Sequence, residues 1–248
     1  MPANAPDPER ELLVNTSARR LILLAHGSPN PQHGEAMTQI SQRVAANLPP
    51  GWQTTVAYLQ HQQPVLSTVL SANGDTTVPT LVLPVLISNG EHNQDDVPAV
   101  TAGRPLTPVP ALTPDLLLNS VLEAVRAAAD HAIDPNFQTI VLATGGSAAQ
   151  DIAQHFDALR ARVEDELRSR SQARLHVSLI CRPADLGALV RGTQNALVVP
   201  LLVAPGVLAG RFRAAAGELN VPVSEPIGQT AAFARALAQR ALATDAAT

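Results

Sequence analysis

The feature that most constrains the fold of this 248-residue chain is a regular alternation of short apolar runs with segments of helical periodicity. Each half contains four apolar runs of strand length, rich in Val, Ile and Leu. The strand candidates are 21–25, 54–59, 80–87, 106–112, 139–143, 175–180, 196–203 and 221–227. Because strands that alternate with helices form parallel sheets with right-handed crossovers, the pattern predicts an α/β fold.

The predicted helices have apolar residues at three- and four-residue spacing. Met37, Ile40 and Val44 show this spacing in the first helix, and Thr113 with Pro114 resembles an N-cap followed by a proline at the first helical position. Helices are predicted near 37–48, 65–70, 114–125, 152–167 and 233–242. Helices between consecutive strands would cover both faces of each sheet.

Landmarks of the first half recur in the second at nearly constant offsets. Gly27 and Gly146 each follow the first strand of a half and are 119 residues apart, while Pro84 and Pro200 are 116 residues apart. A repeat of this length is a whole domain. We therefore predict two tandem, similar, doubly wound parallel-sheet domains that face each other across a cleft. The predicted division is a loose tail at 1–18, an N-terminal domain at 19–133 and a C-terminal domain at 134–248, since Asp-Pro-Asn at 134–136 breaks the preceding helix.

Composition excludes several classes of function. With 46% hydrophobic and 15% charged residues the chain is typical of globular proteins. Only 2% aromatic residues and a net charge of -4 argue against a nucleic-acid partner. A signal-peptide core is absent from 1–18, and prolines interrupt the uncharged stretch 192–210, so no membrane partner is expected. The single Cys181 favours a reducing compartment, and we expect a cytoplasmic protein, with a monomer as the expected state.

Two histidines follow predicted strands directly. In parallel sheets ligands bind at the carboxyl ends of strands, and His26 follows the first strand while His92 follows the third. Gly27 and Gly90 beside them allow a large ligand to approach the backbone. Neutral imidazole binds Fe, Co, Ni or Zn and accepts a proton near neutral pH, so the pair predicts a site that handles both metal and protons. The other histidines are interpreted as structural or solvated; they are His33, His61, His131, His155 and His176.

The segments that contain these histidines resemble a known family. Residues 23–28 (LLAHGS) are similar to the opening strand and His-Gly-Ser of the sirohydrochlorin chelatases, the class II chelatases of sirohaem and cobalamin synthesis. Residues 82–86 and 90–98 (GEHNQDDVP) resemble the family's Gly-x-His-x-x-x-Asp-Ile-Pro signature, and 110–117 resembles a further segment. The resemblance implies a ferro- or cobaltochelatase, a lyase that inserts Fe²⁺ or Co²⁺ into the tetrapyrrole sirohydrochlorin. Ni²⁺ or Zn²⁺ are further candidates in vitro, and no organic cofactor is implied.

The resemblance also implies roles for individual residues. His26 and His92 would be the catalytic and metal-binding pair, and Ser28, Gly90 and Gln60 would contact the substrate. Gln60 stands where many members have Glu, so the carboxylate that would attract the cation is replaced by an amide. Asp96 would brace the loop that contains His92. The substrate class is rich in carboxylates, and four arginines in loops or near strand ends are candidate partners for them: Arg104, Arg182, Arg211 and Arg213.

The second half lacks both histidines. Gly145-Gly146-Ser147 stands where His-Gly-Ser is expected, and Gly206-Val207-Leu208 stands where Gly-x-His is expected. One active site per chain is therefore predicted, with the second half as the opposite wall of the cleft. Two alternatives remain: a non-catalytic carrier of metal or tetrapyrrole, and a phosphate-binding loop at 145–147. The phosphate-binding reading has less support because G-x-G-x-x-G, the Walker pattern and Lys are all absent.

Overall fold

The computed structural model describes residues 18–72, 77–87, 97–145, 149–170, 175–193 and 195–248. The strands in these ranges are β1 (Arg19–Ala25), β2 (Trp52–Tyr58), β3 (Thr80–Pro84), β4 (Thr107–Pro108), β5 (Thr139–Ala143), β6 (His176–Ile180) and β7 (Ala196–Pro200). The α-helices are α1 (Pro31–Ala45), α2 (Leu66–Ala72), α3 (Val97–Thr101), α4 (Leu118–Ala129), α5 (Ala149–Arg170), α6 (Leu186–Val190), α7 (Val207–Glu218) and α8 (Ala231–Asp245). Short 3-10 helices occupy Pro114–Leu117, Pro183–Asp185 and Ile227–Gln229.

The strands form two parallel sheets, as predicted. The first has the order β2-β1-β3-β4 and the second the order β6-β5-β7. Strands β3, β5 and β7 are covered on both faces, because they are buried at every position. This burial explains why their sequences are continuous apolar runs instead of alternating patterns.

The pairing register reproduces the offsets of the sequence repeat. Leu24 pairs with Pro84 in the first sheet, and Ala143 pairs with Pro200 in the second. Leu24 and Ala143 are 119 residues apart and the two prolines 116, the values found from the sequence landmarks. The first and third strands of the two halves are therefore equivalent, whereas β4 has no counterpart in the three-stranded sheet.

The prediction of a strand at 221–227 was wrong. This segment contributes a single bridge, Val198 to Val223, because Pro222 and Pro226 have no N–H with which to extend a ladder. The predicted strand at 106–112 is reduced to Thr107–Pro108 for the same reason. Helix α7 was not predicted, since its small Gly and Ala residues leave only a weak apolar stripe.

The two sheets share a continuous buried core. One apolar cluster includes β1 and α1 from the first half together with α5, β7 and α8 from the second. The last helix, α8, packs against α1 and β3, and the ion pair between Arg19 Nε and Asp245 Oδ1 (2.8 Å) ties the first strand to this helix. The domain division at 133/134 stays a prediction; it lies between α4 and β5.

Within the described ranges, no helix combines the length and the apolar character needed to cross a bilayer.

Candidate functional site

His26 and Gln60 are brought together by an extension of the β1–β2 ladder. Beyond the last paired residues, the Leu59 N–H donates to the Ala25 carbonyl (2.9 Å) and the Gln60 N–H donates to the His26 carbonyl (3.0 Å). The Gln60 side-chain Nε2 lies 2.6 Å from His26 Nε2. Sequence position alone suggested that Gln60 follows the second strand, and the backbone pairing explains its contact with the histidine.

The contacts of the His26 ring define which nitrogen faces the site. Its Nδ1 lies 2.9 Å from the Gly27 carbonyl oxygen, which can only accept, so Nδ1 carries the proton. Nε2 therefore has the lone pair that accepts from the Gln60 amide. A histidine whose Nδ1–H is held by a carbonyl is oriented to bind a metal through Nε2.

Gly27 is required for this arrangement. Its φ is +92°, and a Cβ at this position would lie 1.9 Å from the Gln60 carbonyl oxygen. The loops after β1 and β2 can approach only because this side chain is absent. Any larger residue would move Gln60 away from His26.

A second set of contacts holds the loop after His26. The Gln62 Oε1 accepts from the Ser28 N–H (3.2 Å) and from His33 Nδ1 (2.9 Å). Burial lowers the pKa of His33, and the nearby His26 lowers it further. The hydrogen bond to Gln62 raises the pKa but does not cancel this effect. Asn30 N–H donates to Ser28 Oγ (3.2 Å), so the Ser28 hydroxyl is part of the loop structure.

His61 is a residue of this site that the sequence interpretation missed. Its ring centroid lies 5.9 Å from that of His26, with the rings inclined at 50°. His61 is exposed and has a φ of +65°. The available signal was its place immediately after Gln60 in the loop that follows β2, at the same edge of the sheet as His26.

The second half faces this loop with small and apolar residues. A Cβ on Gly206 would lie 3.6 Å from Ser28 Oγ, so the start of α7 is adjacent to the loop after β1. Val207, the first residue of α7, is 52% exposed. Leu208 packs toward Gly145, where a Cβ would lie 2.6 Å from Leu208 Cδ2.

Several predicted site residues lie outside the described residues: Gly90, His92, Asp96, Gly146 and Ser147. Of the candidate arginines, Arg182 forms two 3.0 Å bonds to Asp185, and Arg213 bonds to Glu225 at 3.2 Å. Arg104 Nε donates to the Val100 carbonyl. Arg211 is exposed and has no bonded partner among the described residues.

The remaining histidines have local contacts. His131 Nδ1 bonds to the Ala127 carbonyl, His176 bonds to Ser178, and His155 makes an edge-on contact with Phe156. Where the chain is described, no three His, Cys, Asp or Glu residues are grouped so as to hold a metal ion. A cavity of about 280 Å³ lies at the start of β7, at the opposite end of the strand from this edge, and no histidine or carboxylate lines it.

The same fold occurs in known chelatases. The structure of SirB from Bacillus subtilis with Fe³⁺ matches with a TM-score of 0.72 and 17% identity, over 92% of this chain and 95% of SirB. CbiX, the terminal enzyme for biosynthesis of siroheme in denitrifying bacteria, matches with a TM-score of 0.64 and 19% identity, over 91% and 99%. DR2241 from Deinococcus radiodurans matches with a TM-score of 0.62 and 21% identity, over 93% of this chain and 55% of DR2241.

These likenesses establish the class: the chain has the two-sheet α/β fold of the chelatases. The family resemblance seen in the sequence is confirmed, because residues 20–124, which contain His26 and Gln60, match the CbiX family model. No curated relative matches the chain by sequence.

Proposed function

We propose that this protein is a metal chelatase that inserts Fe²⁺ or Co²⁺ into sirohydrochlorin, with His26 and His92 handling the metal and the pyrrole protons. The observation that carries the proposal is the orientation of His26, whose Nε2 lone pair is directed at the Gln60 amide at the carboxyl edge of the first sheet. Ligand sites of parallel sheets lie at this edge. The match of residues 20–124 to the CbiX family supports the same reaction.

The internal repeat supports the pairing of His26 with His92. By the offset of 119 the equivalent of His26 is Gly145, and by the offset of 116 the equivalent of His92 is Leu208. These two equivalents are neighbours, because a Cβ on Gly145 would lie 2.6 Å from Leu208 Cδ2. The proximity of these two equivalents supports assigning His26 and His92 to one reaction.

The chemistry follows from the two states of the His26–Gln60 pair. A neutral His26 offers the Nε2 lone pair to a cation or to a pyrrole proton. The Gln60 amide donates its N–H to the neutral ring, and after rotation its oxygen accepts from the protonated ring. Gln60 therefore stabilises His26 before and after proton uptake. Its oxygen is also a weak metal ligand, which favours release of the ion into the macrocycle.

The facing wall suits a flat macrocycle. Gly206 and the exposed Val207 offer small and apolar surface opposite the His26 loop. Arg211 lies four residues after Val207 on α7, so the two share one face of the helix. We propose that Val207 packs on the ring and that Arg211 pairs with a peripheral carboxylate.

The test is an anaerobic incubation with sirohydrochlorin and Fe²⁺ or Co²⁺, followed by absorption spectroscopy. We expect His26→Ala and His92→Ala each to reduce the rate by at least about 100-fold, as for loss of a general base. His131→Ala, which removes an exposed histidine bonded to Ala127, is the matched control and should keep the wild-type rate. An unchanged rate in either site variant would exclude that residue from the mechanism.

A carrier of metal or tetrapyrrole is the second candidate. It is favoured by Gln60, which replaces the carboxylate expected beside His26 and binds a cation more weakly. A carrier would take up ligand stoichiometrically and form no excess of metallated product. Product in excess over protein would exclude it.

A further inference from the structure

We propose that His26 and His61 together form a capture site for a first-row divalent cation, which binds between the two imidazoles before the tetrapyrrole arrives. This inference rests on the proposed chelatase function and deepens it, because it assigns the entry point of the metal. It gives His61 the place of the carboxylate that Gln60 does not supply.

The distance between the rings fits a shared ion. Two imidazoles on one tetrahedral metal, with metal–nitrogen bonds of about 2.1 Å, have ring centroids about 5 Å apart. In this protein the centroids of His26 and His61 are 5.9 Å apart. The rings are inclined at 50°, so they are not stacked on each other. The centroids therefore have to approach by about 1 Å, with His61 turned so that a ring nitrogen faces the ion.

The backbone holds His61 in position for this role. The Gln62 N–H donates to the Gln60 carbonyl (2.8 Å), which closes a three-residue turn with His61 at its centre. A positive φ at the centre of such a turn is rare and strained for a residue with a side chain, and His61 has a φ of +65°. Strained residues of this kind cluster at functional sites.

Both residues that flank His61 are attached to the loop after β1. Gln60 contacts His26 Nε2 at 2.6 Å, and Gln62 accepts from the Ser28 N–H at 3.2 Å. The turn is thus fixed on each side of His61 to the loop that contains His26. The backbone bond from the Gln60 N–H to the His26 carbonyl holds the two loops together while the ion binds. Two side chains then rotate: the exposed His61 turns toward the ion, and the Gln60 amide, which here donates to His26 Nε2, turns its oxygen toward the ion.

The ligand chemistry selects the class of cation. Imidazole suits Fe, Co, Ni and Zn, whereas Mg and Ca prefer carboxylate and carbonyl oxygens. Two imidazoles and one amide leave coordination positions open to solvent, so the ion is held without being enclosed. An exposed His61 meets the ion first, and His26 is common to capture and insertion.

The test uses the full chain without tetrapyrrole and titrates Co²⁺ by calorimetry and by its visible absorption. The variant is His61→Asn, because Asn tolerates a positive φ better than other residues with side chains and so preserves the turn. Loss of a supporting partner alone weakens metal sites about 10- to 100-fold, so we expect His61→Asn to raise the Kd for Co²⁺ at least about tenfold and to change the absorption. His131→Asn is the matched control and should bind as the wild type does.

Equal Kd values and spectra for wild type and His61→Asn would overturn the inference. His61→Gly, which also accepts the positive φ, serves as a second variant if His61→Asn does not fold. Failure of the proposed function is distinguishable: a protein that binds Co²⁺ through His61 and forms no metallated product keeps the capture site and loses the chelatase assignment. If the wild type inserts metal and His61→Asn binds Co²⁺ with the same Kd, the chelatase assignment is kept and the capture site is excluded.

Discussion

Substitution of Gly27 by Ala tests how the His26 loop is built. A Cβ here would lie 1.9 Å from the Gln60 carbonyl oxygen, and ordinary contact begins near 3.4 Å, so the two loops must separate by about 1.5 Å. The positive φ of +92° adds about 1–2 kcal/mol of backbone strain, and forced overpacking adds about 1–3 kcal/mol. The two terms sum to about 2–5 kcal/mol, so at roughly 2–4 °C per kcal/mol for a chain of this size Gly27→Ala should lower Tm by roughly 4–20 °C.

Gly103→Ala is the matched control. Gly103 also has a positive φ, +67°, but a Cβ there meets no atom within 4 Å, so only the strain of about 1–2 kcal/mol applies. Thermal unfolding followed by circular dichroism measures both variants. A separation of about 1.5 Å would also break the 2.6 Å contact between Gln60 and His26, so Gly27→Ala should insert metal poorly even below its Tm. Equal losses of Tm in the two variants would refute the backbone clash.

Other consequences follow from contacts away from the site. Asp245→Asn removes the half-buried ion pair with Arg19 and should lower the free energy of unfolding by about 1 kcal/mol or less, an effect that salt reduces in the wild type; urea unfolding at two salt concentrations checks this. Burial lowers the pKa of His155 below 6.5, so the unfolded chain binds the proton more tightly than the folded one. Stability therefore falls as the pH drops through 6.5. His155→Gln should lose less Tm than the wild type as the pH is lowered through 6.5, and an identical loss would contradict the assignment. Gly145→Ala should lower the free energy of unfolding by about 1 kcal/mol, because the new Cβ displaces only the end of the flexible Leu208 side chain. In urea unfolding, the double variant with Leu208→Ala should lose less than the sum of the two single losses, and strict additivity would mean that the two positions do not touch.

The two parallel sheets were predictable because buried parallel strands are continuous apolar runs. The equivalence of the halves was also readable: Gly27 with Gly146 and Pro84 with Pro200 gave the offsets that the pairing register reproduces. The segment 221–227 misled because Val and Ile suggest a strand, while its prolines limit it to one bridge.

The parts of the site that sequence could not supply depend on tertiary geometry. His61 was interpreted as structural or solvated because it has no partner at ligand spacing in the sequence, and its ring comes near that of His26 through the turn closed by Gln62. The arginines could not be ranked by their availability to a ligand. Arg182 bonds to Asp185 and Arg213 bonds to Glu225, and no sequence motif predicts these pairs.

The most direct test of the chelatase proposal is the amount of metallated sirohydrochlorin formed per chain under anaerobic conditions with Co²⁺ or Fe²⁺ in excess. The proposal predicts many equivalents of product for the wild type and a rate near that of the uncatalysed reaction for His26→Ala. Product that stops at one equivalent per chain, or a His26→Ala protein that turns over as the wild type does, would contradict it.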